Sequence, residues 1–114
     1  MSEKKNPLKL NKLQLRTLVL AQVLAKTPGM NEIVSQAGDA KLLQLPHAHG
    51  DHVHIGGFTV SAREASGFSN PAVWIALVRK GLAKTDGPTT ITITAAGLQY
   101  DTGLGERFLA ASDH

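Results

Sequence analysis

The sequence predicts a small α+β domain, in which helices and short antiparallel strands share one hydrophobic core. Three observations predict it: an amphipathic segment over residues 11–27, alternating apolar and polar residues over 46–61, and two capped helices followed by a hairpin over 61–94. With 114 residues, 42% of them hydrophobic, the chain fits a single domain. It has no cysteine, which excludes disulfides, thiolate metal sites and cysteine catalysis.

Residues 11–27 are predicted to form the first helix, because leucines and valines recur on one face. Asn11 is a suitable N-cap. Pro28 and Gly29 then end the helix, since neither continues a helical hydrogen-bond ladder at low cost. A further short helix is predicted over residues 30–37.

Residues 46–61 are predicted to form a three-stranded meander with two-residue turns at residues 50–51 and 56–57. This register opposes Val53 to Val60 and Ile55 to Phe58. It separates an apolar face from a polar one. The apolar face carries Ala48, Val53, Ile55, Phe58 and Val60, and the polar face carries His47, His49, His52, His54, Thr59 and Ser61.

Two capped helices are predicted next. Ser61 and Glu64 form a capping-box pattern that opens a short helix over residues 61–66. Asn70 is followed by proline, the arrangement of an N-cap before the first helical residue, and opens a helix over residues 71–80. Two helices joined by so short a connection make a helix-turn-helix.

The rest of the chain is predicted as a hairpin and two short helices. Strands over residues 82–85 and 90–94 flank a turn at 86–88. Thr94 is a candidate N-cap for a helix over residues 95–100, and a last helix is predicted over 106–112.

The positive charge is concentrated at the start of the chain. The formal net charge is +3, but residues 1–16 carry a net +4 and residues 17–114 a net −1. Residues 1–10 are therefore interpreted as a basic flexible arm, which either steers the protein toward nucleic acid or only solubilises the terminus. The apolar run over residues 73–78 is far shorter than a membrane span, and the first residues lack the apolar core of a signal peptide. We expect a cytoplasmic protein without membrane association.

The order of strand, helix pair and hairpin resembles the winged helix-turn-helix of MarR-type bacterial transcription regulators. The most similar stretches are Leu77-Val-Arg-Lys-Gly-Leu82 and Ile91-Thr-Ile-Thr-Ala-Ala-Gly97. The resemblance covers about residues 11–27 and 58–101. It implies a winged-helix domain over 11–101, with residues 28–57 as an insertion that carries the histidine-rich β-hairpin, and residues 102–114 as a tail or short helix.

The resemblance further implies a homodimeric transcriptional regulator that binds double-stranded DNA. The second helix of the pair would enter the major groove and the hairpin wing would contact the backbone. The residues at the matching positions are Arg63, Ser69, Asn70, Ala72, Arg79, Lys84, Thr89 and Thr90.

Two features depart from this pattern. The second helix is apolar on nearly all sides over residues 73–78, whereas base recognition needs polar or basic side chains. Residues 86–88 also replace a basic wing tip. The alternative function is a winged-helix protein-interaction module that uses Trp74, Ile75 and Val78 as its surface. For Trp74, the interpretation as part of a small core is favoured.

The histidine cluster is a candidate metal site. His47, His49, His52 and His54 share one face of the predicted hairpin, with Asp51 beside them, and such a set suits Zn²⁺ or Ni²⁺. The alternative is a solvated polar face.

The same cluster is similar to the His-x-His-x-Asp-His signature of the metallo-β-lactamase fold. That fold needs a longer chain and further ligands, so homology is rejected. With no phosphate-binding loop, nucleophile elbow or paired carboxylates, we expect no enzymatic activity and no required cofactor.

Overall fold

The computed structural model describes residues 8–27, 29–43, 50–55, 58–63, 65–85, 90–102 and 110–111. The helices are α1 (Lys12–Lys26), a 3₁₀ helix (Ser66–Ser69), α2 (Pro71–Arg79) and α3 (Ala95–Gln99). The strands are β1 (Asn31–Ile33), β2 (Ala40–Leu42), β3 (His52–Ile55), β4 (Phe58–Ser61), β5 (Ala83–Thr85), β6 (Ile91–Ile93) and β7 (Ala110–Ala111). These elements form a small α+β domain, which confirms the predicted fold class.

Helix α1 lies at the centre of the core. Asn11 Oδ1 accepts a hydrogen bond from the Gln14 amide at 2.8 Å, and Gln14 Oε1 accepts one from the Asn11 amide at 2.9 Å. This capping box confirms the predicted start of the helix. Leu18, Leu20 and Leu24 are fully buried. Helix α1 contacts strands of both sheets, the 3₁₀ helix, α2 and α3, so all these elements share one core.

The larger sheet has the strand order β1-β2-β6-β5, with every pair antiparallel. The helix predicted over residues 30–37 is wrong, because β1 turns back onto β2 there. Gly38 has a φ of 101° in this turn, a value that glycine adopts without strain. Ile33 and Val34 are exposed. The backbone of β1 pairs with β2, whose other edge is held by β6.

The smaller sheet has the order β3-β4-β7. The predicted register is confirmed, since Val53 pairs with Val60 and Ile55 with Phe58. Val53, Ile55 and Val60 are buried. The predicted pairing of residues 46–49 lies outside the described residues. The helix predicted over 106–112 is wrong at residues 110–111, which pair with β4 as β7.

The helix predicted over residues 61–66 is also wrong. Ser61 is the last residue of β4, and turns lead from it to the 3₁₀ helix. Serine hydroxyls accompany these turns: Ser66 Oγ donates to the Arg63 carbonyl at 2.8 Å, and Ser69 Oγ donates to the Ser66 carbonyl at 3.2 Å. Such local bonds compete with regular helix formation. Glu64, the second half of the predicted capping box, lies outside the described residues.

The elements from α2 to α3 follow the prediction. Asn70 Oδ1 accepts from the Ala72 amide at 3.0 Å, so it caps α2. Gly81, with a φ of 79°, follows the C-cap of α2. Strands β5 and β6 pair as the predicted hairpin. Thr94 Oγ1 accepts from the Gly97 amide at 3.0 Å and caps α3.

Candidate interaction surface on helix α2

Helix α2 has one buried face and one exposed face, and both are apolar. Val73, Trp74 and Leu77 are buried in the core. On the other side, the Ile75 side chain is 53% exposed and Val78 is 38% exposed. Large aliphatic side chains at neighbouring exposed positions of a helix are typical of a surface that binds a partner.

An open groove of about 410 Å³ runs beside this exposed face. Its apolar lining comes from three elements: Phe68 from the 3₁₀ helix, Trp74, Ile75 and Val78 from α2, and Ile91 from β6. The groove is therefore built where the hairpin β5–β6 and the 3₁₀ helix both pack against α2. We refer to it below as the α2 groove.

Trp74 and Phe68 form the rigid part of the α2 groove. Trp74 Nε1 donates a hydrogen bond to the Phe68 carbonyl at 3.0 Å, and the two ring centroids are 5.9 Å apart. Both residues are more than nine-tenths buried. Trp74 therefore belongs to the core, which is the second of the two interpretations made from the sequence. It also lines the groove. Ile75 and Val78 provide the exposed apolar area.

One positive charge borders the α2 groove. Arg79 is the only charged side chain among the described residues that line it. The described part of residues 58–100 contains four basic residues, namely Arg63, Arg79, Lys80 and Lys84, and no Asp or Glu. Lys84 is the only one of these four that pairs with a carboxylate of the described residues, Asp39 at 3.5 Å. The described lining of the groove is thus mostly apolar, and Arg79 gives it one positive charge.

The residues predicted to contact DNA differ in exposure and in the contacts that they make within the protein. Arg63, Ala72 and Arg79 are exposed. Two other candidates already make hydrogen bonds within the fold: the Asn70 side chain caps α2, and the Ser69 hydroxyl donates to the Ser66 carbonyl. Thr90 is half-buried. The Lys84 ammonium lies 3.5 Å from the Asp39 carboxylate. Thr89 lies outside the described residues.

Asp39 is a structural residue that the sequence analysis missed. Its Oδ1 accepts from the Ala95 amide at 2.7 Å, at the start of α3. This hydrogen bond is the main reason that the pKa of Asp39 lies below its ordinary value, and Lys84 lowers the pKa further, whereas partial burial acts in the opposite direction. No local sequence pattern predicts this role, because Asp39 and Ala95 are 56 residues apart in the chain. Phe68 is also absent from the predicted site, because the sequence does not predict the 3₁₀ helix that carries it.

The histidine cluster is described only in part. The His52 and His54 ring centroids are 5.0 Å apart in an edge-to-face arrangement, so the two rings lie on the same face of β3. Asp51 Oδ1 lies 3.5 Å from His52 Nδ1. Within the described ranges, no group of three or more His, Asp or Glu side chains is placed to hold a metal ion. His47 and His49 lie outside those ranges.

Comparison of the chain with protein-family models, with curated proteins and with solved structures finds no match. In the part of the chain that the structure describes, no helix is both long enough and apolar enough to cross a membrane.

Proposed function

We propose that this chain is a small winged-helix module that binds another protein through the α2 groove. The observation that carries the proposal is the exposed apolar pair Ile75 and Val78 beside a groove of about 410 Å³. Interface centres are enriched in aromatic and apolar side chains and depleted of charge. The described lining of the groove has this composition, with Arg79 as its single charged residue.

The winged-helix interpretation rests on the order of elements around α2. Strand β4, helix α2, the hairpin β5–β6 and the cap at Thr94 follow one another along the chain in the order that the resemblance implies. The connection from β4 to α2 differs, because turns and a 3₁₀ helix stand where the first helix of the pair was expected. In a helix-turn-helix, that first helix crosses the DNA backbone. Its replacement favours a protein partner for α2 over the major groove.

Site-specific photo-crosslinking in cells tests this function. A benzophenone amino acid at position 75 lies on the exposed apolar face of α2, and the same probe at the exposed position Ala96 of α3 is the matched control. We expect protein adducts from position 75 and none from position 96. Adducts from both positions, or adducts of position 75 with nucleic acid alone, would contradict the proposal.

A second candidate function is the binding of double-stranded DNA as a transcriptional regulator. The observation in its favour is the charge of the described part of residues 58–100, with four basic side chains and no carboxylate. Exposed Arg63 and Arg79 are the side chains best placed for phosphate contacts.

Salt-dependent binding to a labelled duplex tests this candidate. Each phosphate contact steepens the log–log dependence of affinity on salt by about 0.9. Arg63→Ala and Arg79→Ala should each reduce this slope, while Lys26→Ala at the far end of α1 should not. Phosphate contacts are strong at about 50 mM salt, so the absence of binding to any duplex there would contradict the DNA-binding function.

A further inference from the structure

We infer that the partner seated in the α2 groove is an amphipathic segment that pairs a carboxylate with Arg79 and buries apolar side chains against Trp74 and Ile75. This inference rests on the proposed protein-binding function and names the chemistry of the partner. The charges of the described residues also disfavour a second copy of this chain as the occupant.

The described lining of the groove is mostly apolar. The small exposed parts of Phe68 and Trp74 line it, and a hydrogen bond and a ring contact hold the two side chains together. Ile75 and Val78 border the same space from α2. A volume of about 410 Å³ is within the range of pockets that accept whole ligands or several side chains. Apolar anchors inserted into such a groove are the usual source of affinity for a helical segment.

Arg79 is the residue that favours an acidic partner. It is the only charged residue among the described lining residues, and no carboxylate of the described residues forms an ion pair with it. It is exposed at the last turn of α2. An arginine next to an apolar surface recognises a carboxylate through paired hydrogen bonds, which fix orientation as well as adding affinity. Neighbouring Lys80 adds attraction of the same sign.

A second copy of the chain fits this surface poorly. In a two-fold symmetric contact the same patch meets itself. Arg79 and Lys80 of one copy would then approach the same residues of the other, and the described part of residues 58–100 offers no carboxylate between them. Like charges brought together at an interface are unfavourable. A separate acidic partner avoids this repulsion, because its carboxylates attract Arg79 and Lys80.

Synthetic peptides give a direct test. The first probe is a helical peptide with two leucines four residues apart and glutamates beside them. In the second probe glutamine replaces each glutamate, and in the third alanine replaces each leucine. Trp74 is the only tryptophan of the chain and lines the groove, so its fluorescence reports occupancy. The anisotropy of a labelled peptide gives the affinity independently.

We expect the glutamate peptide to bind about tenfold more tightly than the glutamine peptide, the factor typical of one charge-assisted hydrogen-bonded pair. Arg79→Gln should remove this difference and leave the affinity of the glutamine peptide unchanged. Ile75→Asp should abolish binding of both peptides, and the alanine peptide should not bind. Lys26→Gln, on α1, is the control that keeps wild-type affinity.

Failure of this inference differs from failure of the proposed function. Equal affinity of the glutamate and glutamine peptides would overturn the acidic partner and leave the groove as a protein site. Absence of binding by both, together with a dimer in sedimentation that Ile75→Asp dissociates, would assign the groove to a second copy. Displacement of the bound peptide by duplex DNA at equal concentration would assign the surface to nucleic acid.

Discussion

Trp74 Nε1 donates to the Phe68 carbonyl across six residues, and this bond ties the 3₁₀ helix to the buried face of α2. The carbonyl belongs to a residue whose ring packs against the same indole at a 47° tilt. Phe68 and Trp74 therefore pack in the core and also line one side of the α2 groove. A change at Trp74 should alter stability as well as binding.

Trp74→Phe tests the energetic role of this bond. The phenylalanine ring retains most of the packing but leaves the buried Phe68 carbonyl without its indole donor. We expect the free energy of unfolding to fall by about 1–3 kcal/mol, the cost of a buried unsatisfied group. Urea unfolding followed by circular dichroism measures it, because the variant has no tryptophan. Ile75→Ala, at an exposed position, should change stability by less than about 0.5 kcal/mol.

Gly67 and Thr17 define a close contact between the 3₁₀ helix and α1. A Cβ atom at residue 67 would overlap the Thr17 hydroxyl oxygen, which is buried and has no hydrogen-bond partner among the described residues. We expect Gly67→Ala to destabilise the fold by about 1–3 kcal/mol through overpacking. The double variant Thr17→Ala/Gly67→Ala should recover part of this loss, as measured by a double-mutant cycle in urea.

Gly97 provides the control for that cycle. A Cβ atom there would overlap the backbone carbonyl of Leu82, which no side-chain substitution removes. Gly97→Ala should therefore destabilise the protein to the same extent with Thr17 or Ala at position 17. If Thr17→Ala rescued both glycine variants equally, the direct contact between residues 17 and 67 would not explain the cost.

The lowered pKa of Asp39 predicts an acid-labile contribution to stability. Because the folded state binds the proton of Asp39 less tightly than the unfolded state, the contribution is fully present above the ordinary pKa of 3.8 and is lost as the pH falls through the lower folded value. The stability advantage of the wild type over Asp39→Asn should thus be constant near neutral pH and shrink in this acidic range.

Thermal unfolding of both proteins from neutral to strongly acidic pH measures this difference. Lys84→Gln keeps the hydrogen bond from the Ala95 amide, which is the larger cause of the shift. It should therefore reduce the acid sensitivity less than Asp39→Asn does. If the stability difference between the wild type and Asp39→Asn grew toward low pH, its pH dependence would have the wrong sign and would contradict the prediction.

We propose that His52 and His54 contribute to a site for Ni²⁺ or Zn²⁺, because their rings are adjacent on one face of β3. Calorimetric titration of the tag-free protein should show Ni²⁺ binding at neutral pH. The double variant His52→Ala/His54→Ala should bind Ni²⁺ more weakly. Unchanged affinity in that variant would place the ligands elsewhere.

Elements defined by local chemistry could be predicted from the sequence. Asn11 and Asn70 are N-caps whose partners lie two or three residues away, so their helices start where expected. The pairing of Val53 with Val60 follows from alternation on the two sides of one short turn. The exposed apolar side of α2 follows from its composition, since a helix that is apolar on all sides cannot bury every side in a small domain.

Features that depend on distant partners could not be predicted. Residues 31–33 form a strand because β2 is nearby, itself paired with β6 from the far end of the chain. Gln22, in the middle of α1, donates to the carbonyls of Gly97 and Tyr100, more than 70 residues away. The α2 groove likewise combines Phe68 with Ile91, which no local pattern relates.

The central position of α1 decides how the chain can be divided. Both sheets, both later α-helices and the 3₁₀ helix pack against this one helix, so a protein cut after residue 43 would separate α1 from most of the side chains that cover it. Neither fragment would retain a complete apolar interior. Mixed in equal amounts, the two fragments should reassemble, and this would make the chain a natural candidate for a split reporter whose halves fold only together.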